Sequence, residues 1–491
     1  MTYISLICFI ISLFLVKFLY KKWFLATACV LFFVYILLLL IDYIFVKYTG
    51  NSVTYFSFNL FKISIVGAPI LTFLKEIVFG CCIILSIMLF CLIIYQKQSK
   101  NLTKNFKFAF LFWLCFIVAF VLNPTIIACY KIYMLVNPPI SDLKASVYPH
   151  LKVPNPKIAT KDKNIIYIFL ESFNKSYTNP QIFPNLTPYI SNLTHKIEFT
   201  NIGQSPGASI TIEGMFSANC ALPYVFNFKN ADKNAFYTNI KCASEILKEQ
   251  GYHTYFMKGA PLDFQKTQDF LRATKFDENK GKIELIAQGA TKLNEWGVDD
   301  DEMFEIAWAD FIRLSKEKKK FFQSILTVST HVPNGFIPKA CQNISYEKNI
   351  QMLRAVKCTD MLLGEFIDKI RNSEYSKNTI IVLQSDHKVP SIDESREIQE
   401  LANSQGGLVF MILDDDIKEN IFIDTKGSSI DTMTTVLGYF GILDELNLGK
   451  NLFKFDGFYN GNEPIFVRAA KLLPYIDYTE LNKQQTIKVQ K

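Results

Sequence analysis

Asn378-Thr-Ile-Ile-Val-Leu-Gln-Ser-Asp-His387 is an apolar, β-branched run that stops abruptly at an adjacent carboxylate and imidazole. An unbroken apolar run of this length, without polar alternation, predicts a parallel strand buried on both faces. In open α/β sheets the ligand crevice lies just past the carboxyl ends of the strands, where Asp386 and His387 fall. A second run, Asn164-Ile-Ile-Tyr-Ile-Phe-Leu-Glu171, also ends in a carboxylate. Two such strands would bring Glu171, Asp386 and His387, all metal-ligating types, to one sheet edge, which predicts a metal-assisted enzyme.

Working outward, strand-like runs at Tyr252–Met257, Phe321–Val328 and Leu408–Leu413 are separated by helical patterns such as Met303–Lys318 and Met352–Ile370. This alternation predicts an α/β domain over residues 164–470. Within it the loop Gly203–Pro223 supplies the hydroxyls of Ser205, Ser209, Thr211 and Ser217, and Thr211 precedes the helical-looking Glu213–Ala218. A helix N-terminus there would favour an anion such as a phosphate ester. Of the five histidines, His331 and His387 follow predicted strands. His150, His195 and His253 fall in a linker, a helical patch and a strand edge and read as structural.

The front of the chain is different. Thr2–Tyr20, Trp23–Val46, Ile77–Tyr95 and Phe108–Cys129 carry almost no charge, and each is long enough to cross a hydrocarbon core of about 30 Å as a helix, so residues 1–133 read as a transmembrane region of four helices. Lys21 and Lys22, and the acid-free loop with Lys97, Lys100, Lys104 and Lys107, place those turns in the cytoplasm and the catalytic domain outside. The segment Asn51–Leu74 mixes aromatics with Lys62 and Pro69 and reads as an interfacial or re-entrant piece. Residues 134–163, with Pro138, Pro139, Pro154 and Pro156, read as an extended linker, and residues 471–491 as a polar, frayed tail. The net charge of +7 owes much to the cytoplasmic lysines and carries no nucleic-acid reading. Seven of the 11 cysteines lie in the apolar segments. The remaining Cys220, Cys242, Cys341 and Cys358 allow three pairings, of which nearest neighbours give Cys220–Cys242 and Cys341–Cys358.

Phe169-Leu-Glu-Ser-Phe173, Phe183-Pro-Asn-Leu-Thr-Pro188, Thr330-His331 and Ser385-Asp-His387 resemble the sulfatase-like transferases of the alkaline phosphatase superfamily, which include lipoteichoic acid synthase and lipid A phosphoethanolamine transferases. Phe256-Met-Lys-Gly-Ala260 with Asp263-Phe264, Glu295-Trp-Gly297 before Asp299–Asp301, Thr327-Val-Ser-Thr-His-Val-Pro-Asn-Gly-Phe336 and Ala355-Val-Lys-Cys358 narrow the resemblance to the phosphoglycerol transferases of osmoregulated periplasmic glucans. It runs from about Asn164 to Phe453 and implies an alkaline phosphatase/sulfatase-like central sheet with flanking helices. It further implies one divalent metal ion, Mn²⁺ or Zn²⁺, on Glu171, Thr211, Asp386 and His387, with Thr211 transiently phosphorylated and Ser209 the second choice of nucleophile. His331 would bind phosphate or protonate the leaving oxygen. Lys258, Asp263, Lys266 and Asn334 would form the wall around the transferred group, whereas Trp296 and Asp300 receive no role beyond shape.

The sequence departs from the family where Ile210 replaces a Trp before the nucleophile and Lys388 replaces a Gly after the Asp-His pair. A phosphoethanolamine-transferase register would put Ala208 at the nucleophile position, and no Cys/Ser-x-Pro-x-Arg motif of a sulfatase is present. The expectation is thus a multi-pass protein of the bacterial inner membrane with a periplasmic or extracellular catalytic domain. It would transfer phosphoglycerol from phosphatidylglycerol, a phospholipid donor, to a glycan acceptor. A phosphoethanolamine transferase, a sulfatase-type hydrolase and a non-catalytic membrane-anchored binding protein are the alternatives.

Overall fold

The computed structural model describes residues 2–19, 21–49, 52–58, 74–98, 106–225, 236–317, 319–332, 334–389, 406–458 and 463–489. The chain forms two compact units, Met1–Asn137 and Pro138–Lys491.

The first unit is helical, with helices Thr2–Leu15, Lys22–Thr49, Leu74–Gln98, Phe106–Val121 and Pro124–Val136. Phe9, Phe32, Tyr35, Phe112 and Phe116 form its core. Among the described residues Lys22–Val46 is the one unbroken helix long and apolar enough to cross a membrane. The expected first span stops as an α-helix at Leu15 and closes with a single 3-10 turn, Val16–Phe18. The expected span Phe108–Cys129 is two helices meeting at 53°. Its break has a local cause: Pro124 has no N–H to continue the ladder, and the Asn123 side chain accepts the Thr125 N–H at 3.0 Å and starts a new helix. Most of the proposed re-entrant piece, residues 59–73, and most of the lysine-rich loop, residues 99–105, lie outside the described residues.

In the second unit the segment read as an extended linker is helical in part. Ile140–Val147 is a helix, because Pro139 sits at its N-terminal boundary, where a missing N–H costs nothing, and Leu143 and Val147 share a buried face one turn apart. The tail is not frayed through its described length either. Tyr478–Val489 is a helix, the Tyr478 hydroxyl donates to Asn447 Oδ1 at 2.6 Å, and Glu480 pairs with Lys144.

Between these flanks the strands are β1 (Asn164–Leu170), β2 (Lys196–Phe199), β3 (Ile202–Gly203), β4 (His253–Lys258), β5 (Glu278–Lys280), β6 (Phe321–Leu326), β7 (Thr379–Ser385), β8 (Phe410–Leu413) and β9 (Ile421–Ile423). Eight of them form one sheet in the order β5-β4-β6-β1-β7-β8-β2-β9, and β3 pairs in a separate ladder with β10, Gly427–Ser428. Only β8 runs against its neighbours. All of β6 and β7 and six of the seven residues of β1 are buried, as the unbroken apolar runs require. Helices Asp300–Lys316 and Gln351–Arg371 close one face through Met303, Phe304, Phe311, Leu363, Phe366 and Ile367. His195 occupies a left-handed turn (φ 54°) before β2 rather than a helical patch, its Nδ1 against Ile417 O.

The structure joins Cys220 to Cys242 and Cys341 to Cys358, the nearest-neighbour pairing. The first bridge ties the end of the helix Thr211–Cys220 to the chain leading into β4, and the second ties the segment after His331 to the helix Gln351–Arg371. Replacing the Cys341 and Cys358 pair by Ser should lower the unfolding free energy in a denaturant titration by about 3 kcal/mol, the chain-entropy value for a loop of this size. Peptide mapping without reduction should recover both linked peptides.

Candidate active site

β1 pairs in parallel with β7, with Leu170 opposite Ser385, so the next residues, Glu171 and Asp386, emerge side by side at the carboxyl edge of the sheet. Ser172 bends away at φ 48°, a left-handed turn rare outside glycine. Its N–H donates to Asp386 Oδ1 at 2.8 Å, its hydroxyl to Glu171 Oε1 at 2.8 Å, and the His387 N–H also reaches Asp386 Oδ1 at 2.6 Å. His387 Nε2 lies 3.5 Å from Glu171 Oε1 and 3.4 Å from Asp386 Oδ2. Its Nδ1 faces the Lys388 carbonyl at 2.7 Å; a carbonyl only accepts, so Nδ1 carries a proton, and Nε2 is the ring nitrogen turned to the carboxylates.

Glu171, Asp386 and His387 are all buried, and their ligand atoms lie within 4.8 Å of one another. Asp386 Oδ2 is buried without a hydrogen-bond partner. A buried carboxylate oxygen left unpaired is costly, and a cation between it, Glu171 and His387 removes that cost, so the donor set fits a divalent metal ion. The two carboxyls of the cluster are shifted in opposite directions. Burial together with the Glu171 charge drives the Asp386 carboxyl well upward. Burial pushes Glu171 up as well, but His331 and His387 outweigh it and hold that carboxyl well below the usual range. Burial pulls His387 down, and the carboxylates of Asp386 and Glu171 reverse this, raising it to about 9.

Thr211 is the first residue of the helix Thr211–Cys220, and its hydroxyl donates to Glu171 Oε2 at 3.1 Å. Gly214 lets this helix seat against the metal edge: a Cβ there would lie 2.2 Å from the Asp386 carbonyl. Ser209 belongs to the extended approach, where its hydroxyl receives a 3.5 Å contact from Gln204 Nε2 and has no contact with Glu171. Ser217 donates to the Gly207 carbonyl, and Ser205 Oγ is buried without a partner. Of the four loop hydroxyls, Thr211 is the one brought to the carboxylates.

A small cavity beside Thr211 is lined by Glu171, Lys258, Phe264, Gln265, Trp296 and His331, among others. Lys258 is 3 % exposed and donates to Thr267 Oγ1 at 2.7 Å; burial, partly offset by Glu171 and Asp263, lowers its ammonium to about 7. The other expected wall residues do not line the cavity. Asp263 and Asn334 are exposed, and Lys266 lies beyond Gln265 in a left-handed turn (φ 57°). The turn after β4 therefore presents Phe264 and Gln265 in their place.

Trp296 and Asp300 do more than shape the wall. The Trp296 ring packs on the His331 imidazole with centroids 3.9 Å apart, and Phe264 meets Trp296 edge-on at 5.1 Å. Gly297 makes this possible, because a Cβ at that position would lie 2.0 Å from the Gly259 carbonyl. Asp300 accepts the N–H groups of Val328 and Ser329, both at 2.9 Å, and pins the strand exit that carries His331. Thr327 Oγ1 accepts the Glu171 N–H at 3.0 Å, and the Thr330 hydroxyl donates to the Glu171 carbonyl, so the histidine arm and the metal edge are stitched together. The motifs containing these residues stand out in the sequence, but their roles appear only through these long-range partners.

This sheet and its carboxyl-edge cluster define an alkaline phosphatase/sulfatase-like domain. A profile described as Sulfatase matches residues 163–442, more than half of the chain, and the chain belongs to that family. Residues 1–141 match a second profile, described as the N-terminal domain of phosphoglycerol transferase I. The phosphoglycerol transferases I of Salmonella choleraesuis and Escherichia fergusonii are 33 % and 32 % identical over 312 residues, which is 62 % of this chain. The match spans 40 % of the length of either relative. Among solved structures, an alkaline phosphatase superfamily protein of Vibrio parahaemolyticus aligns with TM-score 0.53 and 24 % identity over 64 % of this chain and 78 % of that one. The lipoteichoic acid synthase LtaP of Listeria monocytogenes aligns with TM-score 0.51 and 19 % identity over 70 % and 98 %. At these identities the two structures speak for the fold alone.

The buried carboxyl of Asp300 yields a pH prediction. Burial raises it from 3.8 to about 6, against the backbone donors that pull it down. The folded state therefore binds the extra proton, so this group's stabilisation is complete below about pH 4 and is lost as pH rises through about 6. Unfolding free energies measured from pH 4 to pH 7 should fall more steeply for the wild type than for Asp300→Asn, by on the order of 2–3 kcal/mol across the window. Parallel profiles would refute this assignment.

Proposed function

We propose that this chain is a membrane-bound phosphotransferase. It moves a phosphoglycerol group from phosphatidylglycerol to a periplasmic or cell-surface glycan through a phosphothreonine at Thr211. One observation carries the reading: the Thr211 hydroxyl, at the N-terminus of a helix, hydrogen-bonds to Glu171 within a buried Glu171, Asp386 and His387 cluster that lacks positive charge. The N-terminal and catalytic similarities to phosphoglycerol transferase I support the transferred group.

Glu171, Asp386, His387 and Thr211 would hold one divalent ion, Mn²⁺ or Zn²⁺, whose charge lowers the pKa of a bound hydroxyl and neutralises phosphoryl oxygens. The Thr211 proton passes to Glu171 Oε2, its hydrogen-bond acceptor, and returns when Thr211 is displaced; Thr211 Oγ forms the new bond to phosphorus as the bond from phosphorus to the diacylglycerol oxygen breaks. His331 holds its Nδ1 proton on the Val332 carbonyl at 2.8 Å, so in the imidazolium form it is Nε2 that gives a proton to the departing diacylglycerol oxygen and the ring becomes neutral. In the second half the same Nε2 takes the proton of a glycan hydroxyl as that oxygen displaces Thr211. Trp296 and Asp300 keep His331 in place for both halves, and Lys258, its ammonium lowered to about 7 by burial, offers its proton-bearing nitrogen beside the phosphoryl group.

The apolar helices of the first unit fit an anchor in the bacterial inner membrane, which keeps the enzyme near a donor that never leaves the lipid surface. Two disulfides in the second unit fit an oxidising, extracytoplasmic compartment. A cation in the cavity wall disfavours the ammonium of a phosphoethanolamine donor.

With the purified full-length protein, diacylglycerol release from phosphatidylglycerol should exceed release from phosphatidylethanolamine by at least about tenfold, the factor that one lost polar contact supplies. Equal or reversed rates would move the chain to the phosphoethanolamine class. Thr211→Ala should abolish turnover while costing about 1 kcal/mol or less of stability. Elemental analysis should find one divalent ion per chain, lost in Asp386→Ala. Full activity in a metal-free preparation would sink the metal assignment.

A further inference from the structure

The helix Thr211–Cys220 begins without a conventional cap: Ile210 has no side chain to accept the first N–H groups. One of these donors is satisfied from elsewhere in the sequence. The Ile212 N–H, next to the Thr211 hydroxyl, donates to Gln265 Oε1 at 3.0 Å. The Ser209 N–H is covered differently, by Glu213 Oε2 from inside the helix at 3.2 Å. Gln265 reaches its position from a turn in which it and Lys266 both adopt left-handed backbone conformations, φ 54° and 57°. Two successive residues with side chains in this region cost free energy, and the bond to Ile212 helps hold them there.

Gln265 lines the same cavity as Thr211, Glu171, Lys258 and His331, and its carbonyl oxygen occupies the acceptor position that a helix N-terminus offers to an anion. Lys258, a cation 3 % exposed in the same wall, and the unpartnered Asp386 Oδ2 at the metal edge show that this end of the helix belongs to a site built for charged ligands. We propose that Gln265 is a gate on the phosphoryl subsite. Its amide oxygen holds the Ile212 N–H while the site is empty and yields that donor to a phosphoryl oxygen when substrate enters. The inference rests on the phosphoryl-transfer reading of the site but not on the choice of donor lipid.

The exchange follows from two comparisons. An empty site without Gln265 would leave a buried N–H unpaired, which costs more than one ordinary hydrogen bond returns. A charged phosphoryl oxygen accepts that N–H roughly twice as strongly as a neutral amide does, so the anion wins when present. Gln265 is a positioning residue in this account. It keeps the nucleophile-bearing turn formed between turnovers and sets a threshold that the incoming anion must exceed.

Inorganic phosphate is a suitable probe, because it tests the subsite without glycerol or lipid. Calorimetric titration of the metal-loaded full chain in detergent should give Gln265→Ala a phosphate Kd about two- to tenfold below that of the wild type, since the competing acceptor is gone. Its unfolding temperature should fall at the same time. Gln265→Glu should raise the phosphate Kd at least about tenfold, because a carboxylate competes for the donor with a full charge and repels the ligand. A purely structural role would weaken binding in the alanine variant. Unchanged or weaker phosphate binding by Gln265→Ala, or no phosphate binding by either wild type or variant, would overturn the gate. If phosphate behaves as expected while the two lipid donors react equally, only the phosphoglycerol reading fails.

Discussion

The parallel pairing of β1 with β7 is the constraint on which the rest of the domain depends. Its register puts two carboxylates, Glu171 and Asp386, at adjacent strand ends and buries both. Two like charges in a buried crevice repel each other and lose their water, a combination that a fold tolerates only when compensating groups surround it. The Ser172 turn, the His387 imidazole and the Thr211 hydroxyl are those groups. They still leave Asp386 Oδ2 without a hydrogen bond, its ion-pair partner the His387 imidazole 3.4 Å away. The site is thus strained electrostatically in the direction that a cation relieves.

A second arm is built on the β6 exit and converges on the same point. Asp300 begins its helix by accepting two N–H groups of the segment that carries His331, and Trp296 packs on that imidazole at a tilt of 34°. Neither residue touches Thr211 in a recorded bond, yet both fix where His331 can be. The close approach of Gly297 to Gly259 sets the position of Trp296 in turn, so a motif of three residues orients a histidine more than thirty positions away in sequence.

The strands that build the site were legible because they are the simplest objects in the sequence. Ile165–Leu170 and Ile380–Leu383 are buried on both sides, so hydrophobicity alone marks them, and their polar ends mark the site. Edge elements hide. β2 reads Lys-Ile-Glu-Phe, and its Lys196 is nevertheless 4 % exposed, held by Glu198. The Ile140–Val147 helix was obscured by prolines that start it rather than prevent it, and the break at Asn123-Pro124 by an apolar run that continues across it. In the site, Glu171, Thr211, Lys258 and His331 line one cavity and Asp386 and His387 lie beside Glu171, whereas Asp263, Lys266 and Asn334 stay outside the cavity. Gln265 had no sequence signal, because its importance lies in one bond to a residue more than fifty positions earlier.

The sheet order also has a consequence for how such a chain comes into being. β1, the central strand, takes its neighbours from β6 and β7, so Ile165 waits for Phe322 and then for Ile380. Contacts of this separation form slowly, since a long loop must close before any pairing rewards it. If the chain is threaded through a membrane from its N-terminus, β1 arrives first and remains without partners until most of the domain has followed. Its apolar surface then needs a chaperone or the lipid surface in the interval. The cluster of Glu171, Asp386 and His387, assembled by the last of these pairings, exists only once the domain is nearly complete.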